Sequence, residues 1–333
     1  MGSLPTPAAK AQTGNPIRKC PAIWTGVWPC KGACMSFQDG LKTIVVATDL
    51  EGQADAALEY ARKLAHAYGA QIVLAHGLDP MEYADIGDVP GAVLLGLTRQ
   101  AREVLDRLAR ELISEGIRSH SEIRQGAVAE MLRDVAIHHR AGLIVIGTRG
   151  GDGAGPVVVG AIAEQLVRIA PCPVLAVAAD WNAGEFRPTP GGPVLLALER
   201  NTACAAAAEA AYSLAEIFER PLIVLHARTA AEVSAILNPS ATTLADFGIA
   251  AHANVPLRNV VKDGNPAYAI RGAVAQYKPC ILVAGVKRHS DTPGPHGTIF
   301  RLLAGSRVPV LCVPPTFVSA GKEQETPIPV EVH

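Results

Sequence analysis

Residues 43–76, TIVVATDLEGQADAALEYARKLAHAYGAQIVLAH, align without a gap on residues 193–226, PVLLALERNTACAAAAEAAYSLAEIFERPLIVLH. Each segment opens on an apolar run, breaks at an acidic residue, passes through an alanine-rich stretch and closes on an apolar run ending in His76 or His226. A second pair follows in the same order: GAVAEMLRDVAIHHRAGLIVIG from Gly126 and GNPAYAIRGAVAQYKPCILVAG from Gly264. PCPVLAV from Pro171 and RVPVLCV from Arg307 close the two halves. The chain is therefore a tandem duplication of a unit of about 140 residues, long enough to bury its own core. The copies test each other, because a residue kept in only one of them is not required by the fold.

Residues 43–47 are a continuous apolar run between turn residues, the pattern of a strand buried on both faces. Ala57, Leu58, Ala61, Leu64, Ala65 and Tyr68 then recur at helical spacing, and the second copy repeats the stripe at Ala207, Ala208, Ala211, Leu214, Ala215 and Phe218. Gly69 is placed to end the first helix, and residues 71–75 form the next strand. Residues 77–97, with Asp79-Pro80, Gly87 and Pro90-Gly91, read as a loop. A helix over 98–115, a strand over 117–123, a helix over 127–139, a strand over 143–146, a helix over 160–169 and a strand over 173–178 complete the unit. Strands alternating with helices predict an α/β fold of two tandem doubly wound domains, each a parallel sheet covered on both faces. The boundaries are a flexible N-terminal segment 1–40, a first domain 41–179, a linker 180–192, a second domain 193–314 and a flexible tail 315–333.

A net charge of −1 offers no basic field for nucleic acid or an anionic membrane surface. Although 49% of the residues are hydrophobic, no apolar run reaches the roughly 18 residues that would span a bilayer. The seven cysteines do not form a disulfide framework, which points to a reducing, cytoplasmic setting. Cys20, Cys30 and Cys34 lack a CxxC pair, so no metal site is assigned to them. The first 34 residues differ in composition from the rest and lack a signal-peptide core. A translation start at Met35 is one reading of them, a flexible tail the other.

In a doubly wound sheet, ligands bind beyond the carboxyl ends of the strands where strand order reverses. That rule selects Thr48, Asp49 and Leu50 after strand one and the run GTRGGDGAGPVVVGAIAEQL, Gly147 to Leu166, after strand four. Five of the nine residues from 147 to 155 are glycine, and the loop feeds a helix starting near Gly160. A glycine-rich loop can turn backbone amides inward, and a helix N-terminus adds oriented donors and partial positive charge. Together they suit phosphate, to which Arg149 would add a charged contact. The loop is neither a Walker A loop nor a GxGxxG following strand one. His76 and His226, repeated at the end of strand two, suggest a shared structural hydrogen bond. His138-His139 end a helix, where cations suit the dipole, and His289 and His296 lie in a loop of the second copy. None pairs with a nucleophile, so no catalytic residue is assigned.

Gly147-x2-Gly150-x9-Gly160 resembles the signature of ATP-binding universal stress proteins, in which a Ser or Thr follows the last glycine. Asp49 ends strand one as that family's adenine-side Asp does, and PCPVLAV resembles its last strand. The resemblance covers roughly residues 41–179 and 192–314. It implies a five-stranded parallel sheet of order 3-2-1-4-5 in each domain, whose last strand commonly pairs across a dimer. It implies ATP, ADP or AMP as ligand, with Mg as an ion that could accompany it. By match, Asp49 would face the adenine, with Ala75 and His76 beside the base. Gly147, Thr148, Arg149 and Gly150 would line ribose and phosphates, and Gly160, Ala161 and Ile162 would hold the outer phosphates. The first copy departs from the motif at Ala161, which lacks the hydroxyl. A hydrogen bond to a charged group is worth about 1.5–3 kcal/mol, so terminal-phosphate grip is expected to be weaker. The second copy departs further: Glu199 replaces Asp, Arg288 replaces the second Gly, and the loop is one residue shorter, although Gly297-Thr298 is kept. Its site is expected to be degenerate.

The expectation is thus a stress-response protein binding one adenine nucleotide in its N-terminal domain. The two domains would pack as an internal pseudo-dimer, strand 173–178 beside 309–313, within a homodimer. One rival is an interaction module of the same fold that binds no nucleotide. The other is an ATP pyrophosphatase-like enzyme, which needs an SGGxDS-type loop or a HIGH-type motif after strand one; TDLEGQ is neither.

Overall fold

The elements form a repeating β-α-β chain. In the computed structural model, residues 37–50, 55–78, 91–148, 161–178, 191–198, 204–228, 254–286, 298–303, 306 and 308–315 are described. The first half comprises α1 (Phe37–Gly40), β1 (Thr43–Ala47), α2 (Asp55–Tyr68), β2 (Gln71–Leu78), α3 (Gly91–Ser114), β3 (Ser119–Gln125), α4 (Val128–His138), β4 (Leu143–Thr148), α5 (Ala161–Ile169) and β5 (Val174–Ala178). The second comprises β6 (Val194–Leu198), α6 (Cys204–Ile217), β7 (Leu222–Arg228), β8 (Leu257–Asp263), α7 (Pro266–Tyr277), β9 (Ile281–Gly285), α8 (Thr298–Leu303) and β10 (Val310–Val313).

Among the described residues, ten strands join one sheet, in the order β3-β2-β1-β4-β5-β10-β9-β6-β7-β8. Each half therefore has the order 3-2-1-4-5, and pairing within each half is parallel. The halves join through β5 and β10, which run antiparallel with Leu175 opposite Leu311. Apolar strands at an open edge invite pairing, and here each covers the other.

Alternation along the strands divides the core into two layers. Ile44, Val46, Ile72, Leu74, Leu143 and Val145 face α2 and α3, and the same layer continues under α6. Val45, Val73, Ala75, Ile144 and Ile146 face α4 and α5, and that layer continues under α7 and α8. The strands are nearly all apolar because both faces are covered.

The duplication extends to backbone strain. Gly69 and Glu219 occupy equivalent positions after α2 and α6, with φ of 64° and 53°. Arg140 and Lys278 do the same after α4 and α7, at 49° and 46°. Left-handed closure of these helices is a property of the unit, met with glycine in one place and with a side chain in three.

Three differences from the sequence reading have physical causes. Strand β2 runs on to Leu78 and α3 starts at Gly91, so residues 77–78 and 91–97 are not loop; residues 79–90 lie outside the described residues. The periodic stripe was silent there because Val93 and Leu95 are exposed, and burial of α3 begins only at Ala101. Strand β3 is shifted to Ser119–Gln125, its edge position leaving a mixed burial pattern. A short helical turn, α1, lies within the segment expected to be flexible. Phe37 is buried there, its amide donating to Glu209 Oε1 at 3.0 Å and its ring meeting Tyr68 edge-on.

Candidate functional site

Strand order reverses between β1 and β4, since β2 lies on one side of β1 and β4 on the other. The chain therefore leaves β1 and β4 toward opposite faces, opening a crevice at their carboxyl ends. The register sets the neighbours there. Ala47 lies opposite Ala75, and the Thr48 amide donates to the Ala75 carbonyl at 3.0 Å. Val46 lies opposite Val145, which carries the end of β1 alongside Gly147. Thr48 and Asp49 thus sit between His76 on β2 and Gly147 on β4.

The turn after β1 is tightly specified. The Leu50 amide donates to Thr48 Oγ1 at 3.2 Å, so the threonine side chain closes the turn. Leu50 is left-handed, with φ of 65°. Asp49, between them, is exposed. The sequence singled out Thr48, Asp49 and Leu50 but carried no signal for the conformation of Leu50, because a leucine does not advertise a positive φ.

His76 Nδ1 lies 2.8 Å from the Thr48 carbonyl, and His226 Nδ1 lies 3.2 Å from the Leu198 carbonyl. In both copies an imidazole near the end of the second strand closes the end of the first. A carbonyl only accepts, so Nδ1 is the protonated nitrogen in each. The shared structural bond expected from the repeat is present.

On β4, Gly147 is exposed, whereas Thr148 is buried and its hydroxyl donates to the Val177 carbonyl at 3.4 Å. The Thr148 hydroxyl is thus turned into the sheet. Arg149, Gly150 and Gly160 lie outside the described residues. Helix α5 begins at Ala161, and Ile162 in its first turn is exposed. In the second copy Glu199, Arg288, His289, His296 and Gly297 likewise lie outside the described residues, while Thr298 starts α8. Among the described residues no group of three His, Cys, Asp or Glu side chains is arranged to hold a metal ion. His138 and His139 lie away from this crevice, the His139 ring tilted against that of His120 with centroids 4.8 Å apart and pairing with Glu122 on β3. Among the described residues, no helix is long and apolar enough to cross a membrane.

The fold and site define a doubly wound α/β protein with a switch-point crevice in its first half. The model of the universal stress protein family matches residues 40–178. A universal stress protein of Thermus aquaticus is 32% identical over 139 residues, covering 41% of this chain and 98% of the relative. One from Methanocaldococcus jannaschii is 27% identical over 138 residues, covering 41% of this chain and 81% of the relative. The solved structure of a universal stress protein from Archaeoglobus fulgidus superposes with a TM-score of 0.65 at 16% identity. It covers 82% of this chain and 98% of that one, a likeness of fold through both halves. The chain belongs to the universal stress protein family.

Proposed function

We propose that the chain binds an adenine nucleotide in its first half and acts in a stress response through that binding. The observation that carries this reading is the crevice between β1 and β4. There the exposed Asp49 and the end of β4 flank the turn after β1, whose Thr48 carbonyl accepts from His76. The loop leaving β4 carries Gly147-x2-Gly150-x9-Gly160 and leads into the N-terminus of α5. Adenine would lie toward Asp49 and His76. The phosphates would lie along the loop and the first amides of α5, where the helix dipole favours negative charge. The altered second copy supports one nucleotide per chain. Whether ATP, ADP or AMP is held, and whether Mg accompanies it, depends on the outer phosphates.

Mass spectrometry of nucleotide released from purified, denatured protein is the direct test, with calorimetry to count sites. Gly150→Arg is expected to abolish binding and leave the fold intact, because backbone must approach phosphate there and the equivalent position is already Arg288. Unchanged binding in that variant would remove the first-copy site. Ala161, lacking the motif's hydroxyl, favours the alternative of an interaction module without nucleotide; finding no adenine nucleotide in either assay would establish it.

A further inference from the structure

The two outer edges of the sheet are tied to a helix by one repeated contact. In the first half the exposed His120 on β3 meets the His139 ring just past α4, with centroids 4.8 Å apart. In the second, the guanidinium of the equivalent Arg258 on β8 lies 5.5 Å from the centroid of the Tyr277 ring, which ends α7. The surroundings differ. Glu122 accepts from His139 Nε2 and, at 2.6 Å, from Arg124 Nε. Its counterpart is Val260, and Lys262, in place of Arg124, donates to Gln276 Oε1 at 3.2 Å. His138 meets His139 edge-on, where the second copy has Gln276. The tie is therefore a property of the repeated unit, but only the first copy builds it from imidazoles, the side chains that change charge between pH 5 and 8.

The other groups around the pair do not relieve a second positive charge. On this face β2 presents Val73, Ala75 and Gly77 across the register, none of them titratable. Helix α3 covers the opposite face, where Asp106 accepts from the Ser121 hydroxyl. On α4, Asp134 lies one turn before His138 and is paired with Arg133. Arg118, two residues before His120, and Arg140, after His139, are exposed and add fixed positive charge. Among the described residues Glu122 is the carboxylate in contact with the cluster, and Arg124 already shares it. We propose that β3 is an acid-released latch: once His120 and His139 both carry a proton, the strand parts from the end of α4, while β8 keeps its hold on α7. Burial and then the neighbouring His139 lower His120, opposed by Glu122. Its proton therefore binds more readily in the open state, and falling pH favours opening. Strand β3 pairs with β2 from Ile72 to Leu78, so release loosens the strand that borders the crevice.

Amide hydrogen exchange of the full-length protein at about pH 7.5 and about pH 5 tests this, each rate taken relative to that of the unstructured chain at the same pH. Protection of β3 and of the last turn of α4 is expected to fall by about fivefold on acidification, the scale of one exposed charge pair. Protection of β8 and of the last turn of α7 should stay within about twofold. His120→Gln, at an exposed position, should keep the protection seen at the higher pH and lose the acid response. His120→Arg combined with His139→Tyr, which transplants the pair of the second copy, should hold β3 at both pH values. Equal protection of wild-type β3 at both pH values, an equal fall in β8, or a full response surviving in either variant would each overturn the latch. A uniform fall across every strand would overturn it as well, because the whole chain and not its edge would then be opening.

Discussion

Leu50 stands apart from the other left-handed residues. Arg140, Glu219 and Lys278 each follow a helix, where such closure is ordinary. Leu50 follows a strand, at the mouth of the crevice, and a side chain in this conformation costs about 1–2 kcal/mol. The turn is held by Thr48 Oγ1 and by the Leu50 side chain packing on the core. Strain kept in this way gathers at functional sites. Thr48→Val should lower unfolding stability by about 1 kcal/mol in a denaturant titration and weaken nucleotide binding in parallel. An unchanged midpoint would show that other contacts hold the turn. At the far end of the site, Ala161→Ser would restore the motif's hydroxyl. It should tighten ATP by up to about 1.5–3 kcal/mol and AMP by less, because the hydroxyl meets the outer phosphates. Equal gains for both nucleotides would mean that the phosphates are misplaced.

At the scale of elements, the two copies are a built-in mutational comparison. Gly69 closes α2 without a Cβ penalty, and Glu219 closes α6 with one. Glu219→Gly should therefore raise stability by about 1 kcal/mol, seen as a rise of a few degrees in Tm. A fall would mean that the glutamate side chain contributes more than its backbone costs. On the outer edge, β3 is tied to the end of α4 by Glu122, which pairs with His139 and Arg124. Burial alone would raise the Glu122 carboxyl, but the hydrogen bonds from His139 and Arg124 outweigh it and hold it below its ordinary value. Burial, and then the neighbouring His139, lower His120, opposed by Glu122. Both groups bind more protons unfolded than folded. Their contribution is present above the ordinary histidine value of 6.5 and declines as pH falls through the acid range. Chemical denaturation at descending pH should show this decline, reduced in His120→Gln.

At the scale of the molecule, the halves are joined by more than β5 and β10. Tyr68 on α2 and Ser213 on α6 share a hydrogen bond of 3.1 Å, and the Arg168 guanidinium lies 4.5 Å over the Phe300 ring on the opposite face. A double-mutant cycle of Tyr68→Phe and Ser213→Ala should give a coupling of about 0.5–1.5 kcal/mol; additivity would show that the bond contributes nothing. Burial also pushes up the Tyr68 phenol and the Cys172 and Cys312 thiols to about 12, and Cys280 to about 11. Burial likewise raises Tyr60. Folded, these groups keep protons that the unfolded chain releases near 9 or 10. Their stabilisation is complete below pH 9 and should be lost as pH rises toward 12. An alkaline titration of Tm measures that loss.

The repeat, the two-faced strands and the helix stripes were legible in the residues, because local periodicity reports which faces are buried; the strand order was an implication of the family resemblance. So were the paired histidines and their shared bond, since the repeat aligned them. The beginning of α3 was not, because its first turns expose Val93 and Leu95 and bury no stripe. Nor was the left-handed Leu50, which a side-chain hydrogen bond holds against the residue's own preference. Tertiary structure alone set the antiparallel sense in which β5 meets β10, since two like edges facing each other match in that direction. It also buried His226 while leaving His76 half-exposed, although both end the same apolar run and bond to the same backbone position. That difference depends on what packs beside each ring, and packing between distant segments leaves no periodic trace in the chain.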